Sequence, residues 1–191
     1  MRKPILFVLS AAFLAAAATL TALAADDATP AMPTVGQTAP TFTLPSQDGS
    51  PISLKSFHGK WVVLYFYPKD MTTGCTIEAH KFQDSLPQFE AKHAVILGVS
   101  VDSTDSHKQF CTKDSLTFRL LADTDHKVVS AYGSLGGFRG VSMANRNTFL
   151  INPKGKIVKV WTKVNPTESA SEVLAVLPDK GSAIKEAPQA Q

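Results

Sequence analysis

A cysteine that begins a helix is the feature of this sequence best suited to chemistry. Residues 61–67 form an aromatic and β-branched run, Pro68 stops it, and Cys75 follows a short polar loop where helical spacing of apolar residues begins. This pattern predicts a strand, a loop and a helix with Cys75 in its first turn. The unpaired N–H groups and the positive dipole end of a helix favour a thiolate, which is the nucleophilic form of cysteine. Cys75 is therefore a candidate nucleophile.

Two neighbouring residues suit a thiolate site. Thr72 lies three residues before the sulfur, close enough for its hydroxyl to donate to the thiolate or to a bound oxygen. Pro68 offers an apolar ring and no N–H, so it can shield the sulfur from bulk water. The alternative is a buried, inert cysteine that happens to start a helix, because free cysteines are commonly buried.

The elements around Cys75 predict an α/β fold. Residues 61–67 and 94–101 are nearly continuous apolar runs, typical of strands covered on both faces, and the helix between them makes the two strands parallel. Pro87 should end or kink this helix near Ser85. Residues 41–54, with the turn Asp48-Gly49, predict an N-terminal β-hairpin.

The rest of the chain continues this pattern. We expect helices at 104–113, 125–132 and 166–177, a short strand at 117–121, and a C-terminal hairpin formed by 146–151 and 157–161. Residues 133–140 hold four glycines but no phosphate-binding motif, and we interpret them as a mobile loop. The layout predicts a thioredoxin-like fold with a central mixed sheet and helices on both faces.

The N-terminus has the pattern of a secretory signal. Arg2 and Lys3 precede an apolar stretch over residues 5–23, and Ala22-Leu23-Ala24 fits a cleavage site. We expect a signal peptide over 1–24, a flexible leader over 25–34, one domain over 35–178 and a disordered tail over 179–191. Export, to the bacterial periplasm, is the expected location. An uncleaved membrane anchor is the alternative, since the apolar stretch is long.

The net charge and the spacing of the histidines indicate which binding partners the chain lacks. The net charge is +3, and cleavage removes two of the cations, so the mature chain is nearly neutral and has no basic run for nucleic acid. No stable membrane association is expected after cleavage. The five histidines are scattered without paired spacing, so no metal or organic cofactor is expected and the histidines are interpreted as solvated or capping residues. They are His58, His80, His93, His107 and His126.

The spacing Pro68-x-x-x-Thr72-x-x-Cys75 resembles the PxxxTxxC signature of the peroxiredoxins, which are thiol peroxidases on a thioredoxin-like scaffold. The resemblance covers residues 35–177 and is closest to the bacterioferritin comigratory protein or PrxQ branch. Three more stretches carry it, at residues 36–44, 97–102 and 146–155.

The resemblance implies roles for two further residues. Arg146 matches the family's active-site arginine, whose guanidinium would favour the thiolate and donate to peroxide oxygens. Many PrxQ proteins carry a resolving cysteine four residues after the catalytic one, but that position here is Ala79. Cys111, the remaining cysteine, fits a subgroup with its resolving cysteine in the following helix. The alternatives are a surface arginine and an unreactive Cys111.

The implied reaction is reduction of hydrogen peroxide or an alkyl hydroperoxide. Cys75 would become a sulfenic acid, Cys111 would condense with it into an intramolecular disulfide, and a thioredoxin-like dithiol would reduce that disulfide. A monomer is expected. The competing hypothesis is an exported thioredoxin-like binding or scaffold domain with a permanent Cys75–Cys111 disulfide, as two cysteines in an exported chain often form. A thiol-disulfide oxidoreductase would need a CxxC pair, and Glu78 occupies the second position.

Overall fold

A computed structural model describes residues 31–179. The expected signal peptide, most of the expected leader and the tail from residue 180 lie outside the described residues. Residues 31–34 contain no helix or strand, and Pro33 is buried while Met32 packs against the core. Within residues 31–179, no helix combines the length and the apolar character needed to cross a bilayer.

Residues 31–179 form nine strands and five helices. The strands are β1 (Thr43–Pro45), β2 (Pro51–Ser53), β3 (Trp61–Phe66), β4 (Ala94–Ser100), β5 (Arg119–Ala122), β6 (Leu135–Phe138), β7 (Val141–Ala144), β8 (Asn147–Ile151) and β9 (Ile157–Thr162). The helices are α1 (Thr73–Asp84), α2 (Leu86–Ala91), α3 (Thr104–Asp114), α4 (Lys127–Ala131) and α5 (Ser169–Val176), with a 3-10 turn at Leu54–Phe57.

A five-stranded mixed sheet forms the centre of the fold, in the order β5-β4-β3-β8-β9. β3 runs parallel to β4 and β4 parallel to β5, while β8 is antiparallel to both β3 and β9. The predicted βαβ unit, the N-terminal hairpin β1–β2 and the C-terminal hairpin β8–β9 are all confirmed.

The two faces of β3 contribute to two separate cores. Val63 and Tyr65 face a cluster that contains apolar side chains of α1, α2, α3 and α5. Val62 and Leu64 face a second cluster that contains side chains of α4 and β1. Alternation along the strand explains this division, because successive side chains point to opposite faces. Helices therefore cover both faces of the sheet, as predicted.

The break between the first two helices lies just before a proline. α1 ends at Asp84, Ser85 caps both helices, and Pro87 lies in the first turn of α2. Proline lacks the N–H that a helix interior requires but is tolerated in a first turn, where the N–H has no helical partner. The predicted break near Ser85 is confirmed.

The prediction of a mobile loop over residues 133–140 was wrong. Residues 135–138 form β6, which pairs with β7 as an antiparallel hairpin. Arg139 and Gly140 connect the strands with φ values of 50° and 80°. A two-residue hairpin turn that matches strand twist needs positive φ at both central positions, and glycine supplies one of them without strain.

Candidate active site

The start of α1 encloses the Cys75 sulfur. Thr72 is the N-cap residue, with extended backbone angles of −86° and 150°, and Cys75 is the third helical residue. The Cys75 side chain faces the core, and the residue is 2% exposed. The placement predicted from the sequence, with the sulfur in the first helical turn, is confirmed.

The register of the central sheet places Arg146 beside Cys75. Arg146 directly precedes β8, and the adjacent Asn147 pairs with Phe66 at the carboxyl end of β3, the end from which the chain leads to Cys75. Arg146 Nη2 lies 3.3 Å from Cys75 Sγ, within hydrogen-bond distance for sulfur. The Arg146 side chain is 15% exposed, so bulk water screens its charge little. A fixed positive charge thus lies beside the sulfur.

Glu78 holds that guanidinium in place. Its Oε2 accepts a hydrogen bond from Arg146 Nη1, and its side chain is fully buried. Burial raises the pKa of the Glu78 carboxyl to about 7, although the charge of Arg146 acts in the opposite direction. The sequence did not predict this role, since there Glu78 only shows that a CxxC pair is absent. Its spacing, one turn after Cys75 on the same helix face, was the available signal.

Thr72 and Pro68 both lie in the loop before the helix, but neither contacts the sulfur through a hydrogen bond in this structure. Thr72 Oγ1 donates to the carbonyl oxygen of Lys69 at 2.9 Å. This bond uses the hydroxyl hydrogen and leaves the oxygen lone pairs available to a donor. Pro68 is half-buried.

Cys111 lies in α3, the helix that follows β4. It is 8% exposed and packs in the same core cluster as Cys75, and both thiols are free. Burial, together with the negative charge of Asp70, raises the pKa of the Cys111 thiol to about 11. In the folded state near neutral pH, Cys111 is therefore a protonated thiol.

The interpretation of all five histidines as solvated or capping residues was wrong for His107, which is fully buried. His107 Nδ1 lies 2.8 Å from Asp70 Oδ2, and Tyr67 and Ser106 also donate to the Asp70 carboxylate. Burial alone would raise the pKa of Asp70, but the hydrogen bonds from His107, Tyr67 and Ser106 hold it below its ordinary value. Asp70 and His107 are 37 residues apart, so only the tertiary fold brings them together.

Comparison with known proteins identifies the family of this chain. A model of the AhpC/TSA family matches residues 35–160. Peroxiredoxin Bcp of Bacillus subtilis is 41% identical over 152 residues, which cover 76% of this chain and 95% of that protein. The chain belongs to the AhpC/TSA family and is a peroxiredoxin. Chloroplastic peroxiredoxin Q of Sedum lineare is 40% identical over 145 residues, 75% of this chain and 77% of the relative.

Solved structures agree with this peroxiredoxin in fold. A cysteine-to-serine mutant of Xylella fastidiosa PrxQ superposes with a TM-score of 0.71 at 37% identity, covering 74% of this chain and 93% of that structure. Peroxidoxin BcpB of Mycobacterium tuberculosis gives the same TM-score at 33% identity, covering 75% and 95%. The thioredoxin-like fold and the likeness to the Bcp and PrxQ branch, both predicted from the sequence, are confirmed.

The arrangement suits nucleophilic chemistry on sulfur. This peroxiredoxin is a thiol-dependent peroxidase, so its substrate is a peroxide and a thiol must restore it. Within residues 31–179, no three histidine, cysteine or acidic side chains gather into a group able to hold a metal ion. The groups around Cys75 are instead a guanidinium, which the Glu78 carboxyl orients, and helix N–H groups. The guanidinium and the N–H groups suit an anionic sulfur and a polar peroxide.

Proposed function

We propose that this peroxiredoxin reduces hydrogen peroxide and organic hydroperoxides through the thiolate of Cys75. The observation that carries the proposal is the 3.3 Å approach of Arg146 Nη2 to Cys75 Sγ, with Glu78 fixing the other end of the guanidinium. A nearby cation stabilises a thiolate, and the planar fork can also donate to the peroxide.

In the first step the thiolate attacks the terminal oxygen of the peroxide. A sulfur–oxygen bond forms, the oxygen–oxygen bond breaks, and Cys75 becomes a sulfenic acid. The leaving oxygen takes a proton from solvent water, to which the Cys75 thiol had released its own, and departs as water or as an alcohol. Arg146 stabilises the charge that moves onto that oxygen, and the Thr72 oxygen, whose hydrogen is bound to Lys69, accepts from the peroxide hydroxyl.

In the second step Cys111 acts as the resolving cysteine. Its sulfur attacks Cys75 Sγ, a disulfide forms, the sulfur–oxygen bond breaks, and water leaves with the thiol proton. Structures of Xanthomonas campestris peroxiredoxin Q include serine mutants of two cysteines that are 36 positions apart, the same separation as Cys75 and Cys111 here. This match supports the assignment.

The second step requires movement. Both sulfurs are buried within helices, and a disulfide needs its two Cα atoms about 4.4–6.8 Å apart in a restricted geometry. We infer that the first turn of α1 and the segment around Cys111 unwind locally. Gly74, directly before Cys75, eases this because glycine tolerates more backbone conformations.

A thioredoxin-like dithiol then reduces the disulfide by exchange. Alkyl hydroperoxides are included among the substrates because the Xanthomonas campestris bacterioferritin comigratory protein, 38% identical over 71% of this chain, is described with alkyl peroxide reduction activity. Export to the periplasm and a monomeric state stay predictions from the sequence.

A peroxide-consumption assay with thioredoxin, thioredoxin reductase and NADPH tests the proposal. The wild type should turn over repeatedly, Cys75→Ser should consume no peroxide, and Cys111→Ser should consume one equivalent and then stop. Full turnover by Cys75→Ser would contradict the proposal. A wild type that holds a permanent disulfide and consumes no peroxide would favour the scaffold hypothesis.

A further inference from the structure

A buried hydrogen-bonded cluster around the Asp70 carboxylate connects the two segments that carry the cysteines, and the proposed chemistry does not use it. Asp70 lies in the loop between β3 and α1, five residues before Cys75. His107 lies in α3, four residues before Cys111. Both side chains are at most 1% exposed.

The contacts of Asp70 satisfy both carboxylate oxygens. Oδ1 accepts from the Tyr67 hydroxyl at 2.7 Å, and Oδ2 accepts from Ser106 Oγ at 2.7 Å and from His107 Nδ1 at 2.8 Å. The Asp70 backbone N–H donates to Asp102 Oδ2 at 2.9 Å, just before α3. Ser106, His107 and Asp102 all belong to the segment that leads to Cys111, so three of the four bonds cross between the two cysteine segments.

The cluster and Cys111 share one face of α3. Residues four apart lie on the same helix face, so His107 and Cys111 face the same side of α3, toward the core. Unwinding α3 around Cys111 would displace Ser106 and His107, which lie about one turn earlier in the same helix, and would strip a buried carboxylate of two charge-assisted hydrogen bonds. Leaving a charge buried without partners is costly, so the cluster opposes the unwinding that the resolving step requires.

We propose that Tyr67, Asp70, Ser106 and His107 form a latch that holds the Cys111 helix on the Cys75 loop, and that opening this latch limits the rate of disulfide formation. Asp70 and His107 are positioning residues for the resolving step and do not take part in peroxide reduction. The inference rests on the proposed function, because it needs Cys111 to be the resolving cysteine. A latch that opened more readily would speed disulfide formation and so shorten the lifetime of the Cys75 sulfenic acid.

The chain supplies a matched control for this latch. His80 of α1 and Asp114 of α3 form a second histidine–aspartate pair, which joins α3 to the Cys75 helix, at 3.2 Å. The His80 side chain is 48% exposed and the Asp114 side chain is 12% exposed, whereas the side chains of Asp70 and His107 are at most 1% exposed. Because water reaches the His80 imidazole, the contact contributes little, and breaking it should not change the resolving rate appreciably.

Rapid-mixing fluorescence separates the two steps. Trp61 and Trp161 pack against the core cluster that contains both cysteines, so each step should change their emission. Reduced protein is mixed with hydrogen peroxide and the fluorescence is followed over time. A first phase whose rate constant increases with peroxide concentration reports formation of the sulfenic acid. A later phase whose rate constant does not depend on peroxide concentration reports formation of the disulfide. Wild type, Asp70→Asn, Ser106→Ala, Asp114→Asn and Cys111→Ser are compared, with thermal unfolding to confirm that each variant is folded.

The latch predicts that Asp70→Asn accelerates the second phase about tenfold or more while the first phase changes less than about twofold. Ser106→Ala, which removes one hydrogen bond to Asp70, should accelerate the second phase by a smaller factor. The second phase of Asp114→Asn should match that of the wild type. If Asp70→Asn does not fold, the sign of the Ser106→Ala effect decides. An unchanged or slower second phase in the folded latch variants overturns the latch, and so does equal acceleration in Asp114→Asn.

The same experiment distinguishes failure of the latch from failure of the proposed function. A second phase that persists in Cys111→Ser means that Cys111 does not resolve the sulfenic acid, and then the proposed function fails with it. A second phase lost in Cys111→Ser but unaffected by Asp70→Asn overturns the latch alone.

Discussion

Replacing Arg146 by glutamine tests whether the guanidinium drives peroxide reduction. In the wild type Arg146 Nη2 lies 3.3 Å from Cys75 Sγ, and the Arg146 side chain is only 15% exposed. A hydrogen bond to a charged group contributes roughly 1.5–3 kcal/mol, and each 1.4 kcal/mol is a factor of about ten. Removing a donor that stabilises a developing oxyanion costs about 10²–10³ in rate. We expect Arg146→Gln to lower the second-order rate constant with hydrogen peroxide about a hundredfold.

The same substitution also affects stability, and the two effects can be separated. Removing one partner of a buried ion pair costs roughly 3–5 kcal/mol when the other charge remains. Because burial already raises the pKa of Glu78 to about 7, its carboxyl can take up a proton once Arg146 is gone, and we expect a loss of only about 1–3 kcal/mol. The double variant Arg146→Gln/Glu78→Gln should regain much of this stability.

The assay is rapid mixing of reduced enzyme with hydrogen peroxide, followed by tryptophan fluorescence, with urea unfolding measured in parallel. We expect the double variant to recover stability but to stay about a hundredfold slow. A rate for Arg146→Gln within about threefold of the wild type would refute the electrostatic role. Recovery of the rate together with the stability in the double variant would mean that Arg146 acts only on the fold.

Three further outcomes follow from the structure. Gly98→Ala should lower the free energy of unfolding by about 1–3 kcal/mol in urea titrations, since its Cβ would lie 2.7 Å from Leu120 Cδ2 and from the ring of Tyr65. Burial raises the pKa of the Cys111 thiol from 9.0 to about 11, so the folded state keeps a proton that the unfolded chain releases. Raising the pH from about 9 to about 11 should therefore destabilise the reduced wild type by up to about 2–3 kcal/mol relative to Cys111→Ser, measured by denaturant unfolding at each pH. Thr72→Val should slow peroxide reduction about tenfold while Thr72→Ser stays within about threefold, which stopped-flow mixing can measure.

Local patterns in the sequence predicted much of the fold. The apolar runs indicated the parallel strands, Pro87 marked the break between the first two helices, and Asp48-Gly49 marked the first hairpin. These features are local, because backbone sterics, hydrogen bonding and side-chain alternation act over a few residues. The first-turn position of Cys75 follows from the same local rules.

What the sequence did not predict depends on tertiary contacts or turn geometry. Asp70 and His107 are 37 residues apart, and nothing local indicates that a histidine finds a buried carboxylate. The helical spacing of His107, Phe110 and Cys111 on one face was a signal that His107 faces the core. The glycine-rich segment looked like a loop, although the positive φ of Gly140 is what a tight hairpin turn needs.

Thiol titration combined with intact mass spectrometry tests the central claim most directly. Reduced protein, freed of small thiols, is measured before and after one equivalent of hydrogen peroxide, for the wild type and for Cys111→Ser. We predict that the wild type loses both thiols and two hydrogens in mass, while Cys111→Ser gains one oxygen and stops at the sulfenic acid of Cys75. Two intact thiols in the wild type after peroxide would contradict the peroxidase role of Cys75.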